Sequence, residues 1–181
     1  MARPRREEQD VLIDRIAAAL SAREQLEPWT LADIAPAAGL SPAGLVKRFG
    51  SRSGILQALS RRWIESIPDG PRAISAEEEL RTWVAGRFAA GGPHAVAYGL
   101  VNLVDDLVDD QLRPLLAEGW GKEMRYLAAM LEQLGLRRLS NPMAGAALLF
   151  DALHGAMLRG AVEADLPAPS RILDQLLEAW T

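Results

Sequence analysis

Between Asp33 and Glu65 the chain carries five cations, Lys47, Arg48, Arg52, Arg61 and Arg62, and no carboxylate. Ammonium and guanidinium groups are donors to phosphate oxygens, and a lysine can also donate to the O6 and N7 edge of guanine. Ser41, Ala43 and Gly44 precede them, a hydroxyl and two small residues that permit close approach to a rigid partner. Other chemistries are poorly provided for. With no cysteine there is no disulfide, no thiolate zinc site and no Cys nucleophile. His94 and His154 are the only histidines, and neither belongs to a Ser/His/Asp signature or a zinc-binding spacing. Asp105, Asp106, Asp109 and Asp110 place carboxylates at i and i+4, yet with no paired histidine they predict solvated or helix-capping groups rather than a metal site. No enzyme, metal or cofactor is expected.

Helices must position the basic stretch. Val11, Leu12, Ile16 and Leu20 recur at helical spacing from Glu8 to Arg23. Thr30 offers an N-cap to a short helix with Leu31, Ile34, Ala35 and Ala38 inward, ended by Gly39. Ser41 caps the next, with Pro42 at its first position. A fourth runs from Ser51 or Ser53 through Trp63 and Ile67 to the Pro68-Asp69-Gly70-Pro71 break. Beyond it, Ser75 and Glu78 form a capping-box pattern. Later helices are predicted from about His94 to Leu107, from Asp109 or Asp110 to Leu134, from Asn141-Pro142 to Glu163, and from Ser170 to Trp180. The pattern predicts an all-α protein of about nine helices: a helix-turn-helix domain over residues 1–66 and a larger helical domain over 67–181.

The charge follows that division. The whole chain of 181 residues has a formal net charge of −4, which by itself argues against a polyanionic partner. Residues 1–62 hold ten basic and seven acidic side chains, whereas the remainder holds ten and seventeen. A basic head on an acidic body suits a protein whose first part alone meets a polyanion. The apolar run Met143–Phe150 is far shorter than the roughly 20 residues of a membrane span, and the basic start leads into Glu7 and Glu8 without an apolar core. A cytoplasmic protein with no membrane contact is expected.

Ala35, Gly39 and Leu45 stand where a helix-turn-helix needs a small residue at the helix crossing, a glycine at the turn and an aliphatic plug. The stretch from Thr30-Leu31-Ala32-Asp33-Ile34-Ala35 through Gly39-Leu40-Ser41-Pro42-Ala43-Gly44-Leu45-Val46-Lys47-Arg48-Phe49-Gly50 to Ser51-Arg52-Ser53-Gly54-Ile55-Leu56 resembles the TetR family of bacterial transcriptional regulators. The resemblance covers about residues 8–66. It implies double-stranded DNA as partner, with Thr30 at a phosphate, Ser41, Ala43, Gly44 and Lys47 facing the major groove, Arg48 on the backbone, and Arg52 where the family usually has a phosphate-binding lysine. Two departures stand out. Val46 occupies the position of a common phosphate-contacting tyrosine, and Pro36 falls inside the supporting helix, where a proline ordinarily costs about 3 kcal/mol. Arg3, Arg5 and Arg6 are candidates for a minor-groove arm.

One helix-turn-helix reads only a few base pairs, so a homodimer on a near-palindromic operator is expected. The family's use of its last two long helices for dimerisation implies an interface of Gly145, Ala146, Leu149, Leu153, Ala156, Met157, Leu173, Leu176, Leu177 and Trp180. The same apolar stripe also fits an intramolecular core. The resemblance further implies a small lipophilic effector, its pocket expected among the large and semi-polar residues Trp83, Tyr98, Asn102, Trp120, Met124, Phe150 and His154. The alternative reading is a helical ligand-binding or partner-binding module with the same fold and weakened DNA binding, given Val46 and Pro36.

Overall fold

The computed structural model describes residues 3–23, 27–72, 75–88, 92–160, 162–163 and 168–181, the side chains of 3–7 and 92–95 excepted. Among these residues all regular structure is helical: α1 Arg3–Ser21, α2 Leu31–Ala38, α3 Pro42–Phe49, α4 Arg52–Ser66, α5 Ala76–Arg87, α6 Gly92–Val108, α7 Arg113–Leu134, α8 Pro142–Gly160 and α9 Pro169–Trp180. The fold is all-α. No helix among the described residues is long and apolar enough to cross a membrane.

Element boundaries follow local chemistry. Ser75 accepts from the Glu78 N–H at 3.2 Å, and Asn141 accepts from the Ala144 N–H at 3.1 Å, so both expected caps form. The seventh helix starts later than its sequence pattern suggests. Asp109 accepts from the N–H groups of Gln111 and Leu112 and closes a separate turn, after which α7 begins at Arg113 with Pro114 in its first turn. At the other end of the chain, α1 begins at Arg3, which makes Arg3, Arg5 and Arg6 helical in backbone rather than an extended arm. Their side chains lie outside the described residues.

The chain divides into two compact units. The first contains the residues up to Ser66 together with Val101–Gly119, and the second Ile67–Leu100 with Trp120–Thr181. The first unit therefore adds the end of α6 and the start of α7 to its N-terminal helices. Its core joins Leu12, Ile13 and Ile16 of α1, Trp29, Ile34, Ala35 and Ala38 of α2 and its approach, Leu45 of α3 and Ile55 of α4. Two glycines fix close crossings there. A Cβ on Gly54 would lie 1.9 Å from the Phe49 carbonyl oxygen, and one on Gly119 would lie 2.1 Å from the Trp63 ring. Only hydrogen at these positions lets α4 start against the end of α3 and lets α7 pass under Trp63.

In the second unit α9 packs on α5 and α8. Leu80, Val84, Leu127, Met130, Leu131, Leu149, Leu153 and Leu173 form its interior. This corrects the expected interface: Gly145, Ala146, Leu149, Leu153, Ala156, Leu173, Leu177 and Trp180 are buried within the chain, and Met157 and Leu176 are half-buried. Helical spacing identifies an apolar face but not what covers it. Here α8 and α9 cover each other, and Leu139 lies over Gly145 so closely that a Cβ there would meet it at 2.7 Å.

Candidate nucleic-acid interface

The supporting helix α2 is secured at both ends. The Thr30 N–H and hydroxyl donate to the Asp33 carboxylate at 2.7 and 3.0 Å, and Arg23 approaches the same carboxylate at 3.1 Å. These donors hold the Asp33 carboxyl below its ordinary pKa, the backbone hydrogen bond from Thr30 contributing most. At the other end Gly39 takes a left-handed conformation, φ 65°. Its N–H donates to Pro36 O at 3.1 Å and that of Leu40 to Ala35 O at 3.2 Å, the crossed pair of a Schellman ending. Arg15 adds a cation at this carbonyl end by donating to Ala38 O at 3.1 Å.

Pro36 is accommodated without breaking the helix. The carbonyl it leaves without an N–H partner is that of Ala32, an exposed residue, where water can serve. Two residues later the helix ends, and the Pro36 carbonyl itself accepts from Gly39. The penalty of a proline deep in a buried helix does not arise.

Across the Gly39 turn, Ser41 accepts from the Gly44 N–H at 3.1 Å, and Pro42 occupies the first helical position. The Ser41 hydroxyl hydrogen is left to donate outward. Leu45 is wholly buried, which fixes the rotation of α3. Ala43, Val46, Lys47 and Arg48 are consequently exposed. Gly44 is not demanded by packing, because a Cβ there would meet ordinary contacts of 3.4 to 3.8 Å with Ser41 and Leu40. Its missing side chain instead leaves the outer surface low. Lys47 and Arg48 have no ion-pair or hydrogen-bond partner among the described residues, so two cations stand ready on a surface of small groups.

Arg52, by contrast, is engaged. Its guanidinium donates to Asp105 at 2.5 Å and to Trp29 O at 3.2 Å, and lies 4.6 Å from the centroid of the Trp29 ring. Beside it Ser53 donates to Asp109 at 2.8 Å, and Gln57 to Gln111 at 2.6 Å. The first turns of α4 are thus tied to residues 105–111 of the same unit. Asp106 sits next to this cluster with its carboxyl pushed up to about 6, first by burial and then by the charges of Asp105 and Asp109. Asp105, expected to be a solvated or helix-capping carboxylate, instead pairs with Arg52, 53 residues away, whereas Asp109 caps the following turn as its type suggests.

The expected pocket residues separate into groups. In the second unit Phe150, Trp120 and Phe88 surround His154 at ring-centroid distances of 4.1, 5.8 and 5.0 Å. Trp83 packs edge-on against Phe88 and Tyr126. His154 Nδ1 faces Phe150 O at 2.9 Å, and burial holds the imidazole below its ordinary pKa. Tyr98 has a buried hydroxyl without a hydrogen-bond partner, and Met124 is half-buried on α7. Asn102 belongs to the first unit. Not anticipated from sequence was Glu123, 1% exposed and paired with Arg87 at 2.6 Å, beside which Arg87 also lies 5.4 Å from the Phe88 ring.

No family model and no curated protein matches the sequence. Among solved structures, a crystal structure of a protein from Rhodococcus sp., provisionally assigned as a TetR-family transcriptional regulator, is similar with a TM-score of 0.65. The identity is 21%, and the match covers 96% of this chain and 98% of that one. The chain has a TetR-type fold. Within this TetR-type fold, Lys47 and Arg48 lie exposed on α3.

Proposed function

We propose that the protein is a TetR-type transcriptional regulator that binds a near-palindromic operator as a homodimer and responds to a small lipophilic effector. The observation that carries this reading is the α2–Gly39–α3 unit. Its second helix turns Ala43, Lys47 and Arg48 outward, with the half-buried Gly44 between them, on a rigid, capped support. Lys47 serves as base reader with Ser41 beside it in the groove, while Arg48 serves a phosphate; Thr30, whose N–H and hydroxyl both donate to Asp33, acts by holding α2 in place. Arg52 contributes charge near the backbone from a position fixed by Asp105.

A dimer supplies the second reading head. The outward face of α8 suits it, where Ala144, Leu148, Asp151, Gly155 and Leu158 recur every three or four residues and are exposed. Leu148 and Leu158 are 51% and 56% exposed, and Gly155 leaves room for a close neighbour. The effector would lie against Trp83, Tyr98, Trp120, Met124, Phe150 and His154, stabilising an arrangement of heads whose spacing misses the operator.

The second reading, a module of this fold with weak DNA binding, is favoured by one observation: the guanidinium expected at a phosphate is already paired with Asp105. Gel shift of the DNA flanking the protein's own gene separates the two. A regulator shows saturable binding that prefers a palindrome and falls steeply with salt. A module shows weak binding independent of sequence.

A further inference from the structure

The outer face of α3 is two-sided. At 100° per residue Ala43 and Lys47 stand at its centre, Gly44 and Arg48 on one flank, and Pro42 and Val46 on the other. Pro42 and Ala43 are exposed, and Val46 is 45% exposed. The burial of Leu45 sets this rotation, so Val46 cannot turn inward without expelling the plug of the core. A β-branched side chain in a helix has one strongly preferred χ1 rotamer. Its two methyl groups are therefore held in a fixed direction, on the same side of the helix as the apolar surfaces of Ala43 and Pro42. The Val46 carbonyl, meanwhile, accepts from the Gly50 N–H at 2.8 Å.

We propose that Val46 is a specificity residue that reads the C5-methyl group of thymine in the major groove, with Ala43 extending the apolar contact. This rests on the DNA-binding reading above and deepens it. Among the four bases only thymine offers a methyl group on the major-groove edge, and an apolar side chain is its natural partner. A phosphate contact in place of Val46 would add affinity at every sequence, whereas a methyl contact adds it only where thymine is present. The half-site accordingly carries thymine beside the base pair read by Lys47.

The test uses full-length protein and an operator selected from a random DNA pool. Each thymine of the half-site is replaced in turn by uracil, which removes one methyl group and leaves base pairing intact. The expected result is a loss of about fourfold in affinity per half-site at one thymine position, the worth of one buried methyl group. In Val46→Ala that uracil penalty shrinks to near onefold, while the Lys47-dependent position is still read. Because Val46 is exposed, helix content and dimerisation of the variant serve as controls and should match the wild type. Two results would overturn the assignment with DNA binding intact: no thymine sensitive to uracil replacement, or an undiminished penalty in Val46→Ala. If no DNA sequence is selected at all, the DNA-binding reading fails, and this assignment fails with it.

Discussion

At the scale of single residues, the basic stretch separates into cations that build the fold and cations that are free to act. Arg61 donates to Gln57 at 3.3 Å, Arg62 grips Asp14 with two hydrogen bonds of 2.8 Å, and Arg52 pairs with Asp105. Lys47 and Arg48 alone extend from the outer face of α3. Composition counts all five as basic, and the partners of Arg52 and Arg62 lie 53 and 48 residues away, beyond the reach of any local pattern. Arg52→Ala is accordingly expected to lower stability by about 1–2 kcal/mol as well as DNA affinity, read as a fall in the urea midpoint at constant slope. Asp106 gives a prediction in pH. Its carboxyl, raised to about 6 in the fold from 3.8, is protonated more readily in the folded than in the unfolded chain. Stability from this group is greatest below pH 4 and falls as pH rises through 6. Asp106→Asn should stabilise the protein by about 1–2 kcal/mol at pH 7 and by almost nothing at pH 4, measured by denaturant melts at the two pH values.

At the scale of elements, capping chemistry made most helices legible. Ser41, Ser75, Asn141 and Gly39 each act within a few residues of themselves, and each does what its type suggests. Pro36 shows the limit of a residue-by-residue penalty, because its cost depends on which carbonyl is orphaned and whether water reaches it. The α3 faces were likewise readable from spacing once Leu45 was placed inward. The close approach of α4 to α3 was not, since only the folded chain reveals that Gly54 has no space for a side chain. Gly54→Ala should cost about 3 kcal/mol, lowering Tm by roughly 6–12 °C in a thermal melt. Gly44→Ala, where the contacts are ordinary, should leave Tm within a few degrees of the wild type.

At the scale of the whole molecule, helical periodicity could not decide between a core and an interface for α8 and α9. The buried stripe proved to be core, which transfers the dimer proposal to the opposite face of α8. Leu158→Glu should convert the dimer to a monomer in light scattering, with helix content unchanged and operator affinity reduced more than tenfold. The aromatic set around His154 was partly legible as large residues on facing helices, while Glu123 and Arg87 were not, because a pair 36 residues apart leaves no mark in local spacing. The −4 net charge is a sum over two unlike parts, ten basic and seven acidic side chains over residues 1–62 and ten and seventeen in the remainder.

The central claim is that Lys47 and Arg48 on α3 contact DNA, and a salt titration of operator binding with wild type and the Lys47→Ala/Arg48→Ala double variant tests it most directly. A dimer that uses both side chains on phosphate or base should give a steep linear fall of log affinity with log salt. The double variant should bind at least tenfold more weakly, with a slope shallower by roughly 2, about one for each of the dimer's two Arg48 side chains that no longer neutralises a phosphate. Equal affinity and equal slope for the two proteins, with both folded and dimeric, would contradict the claim.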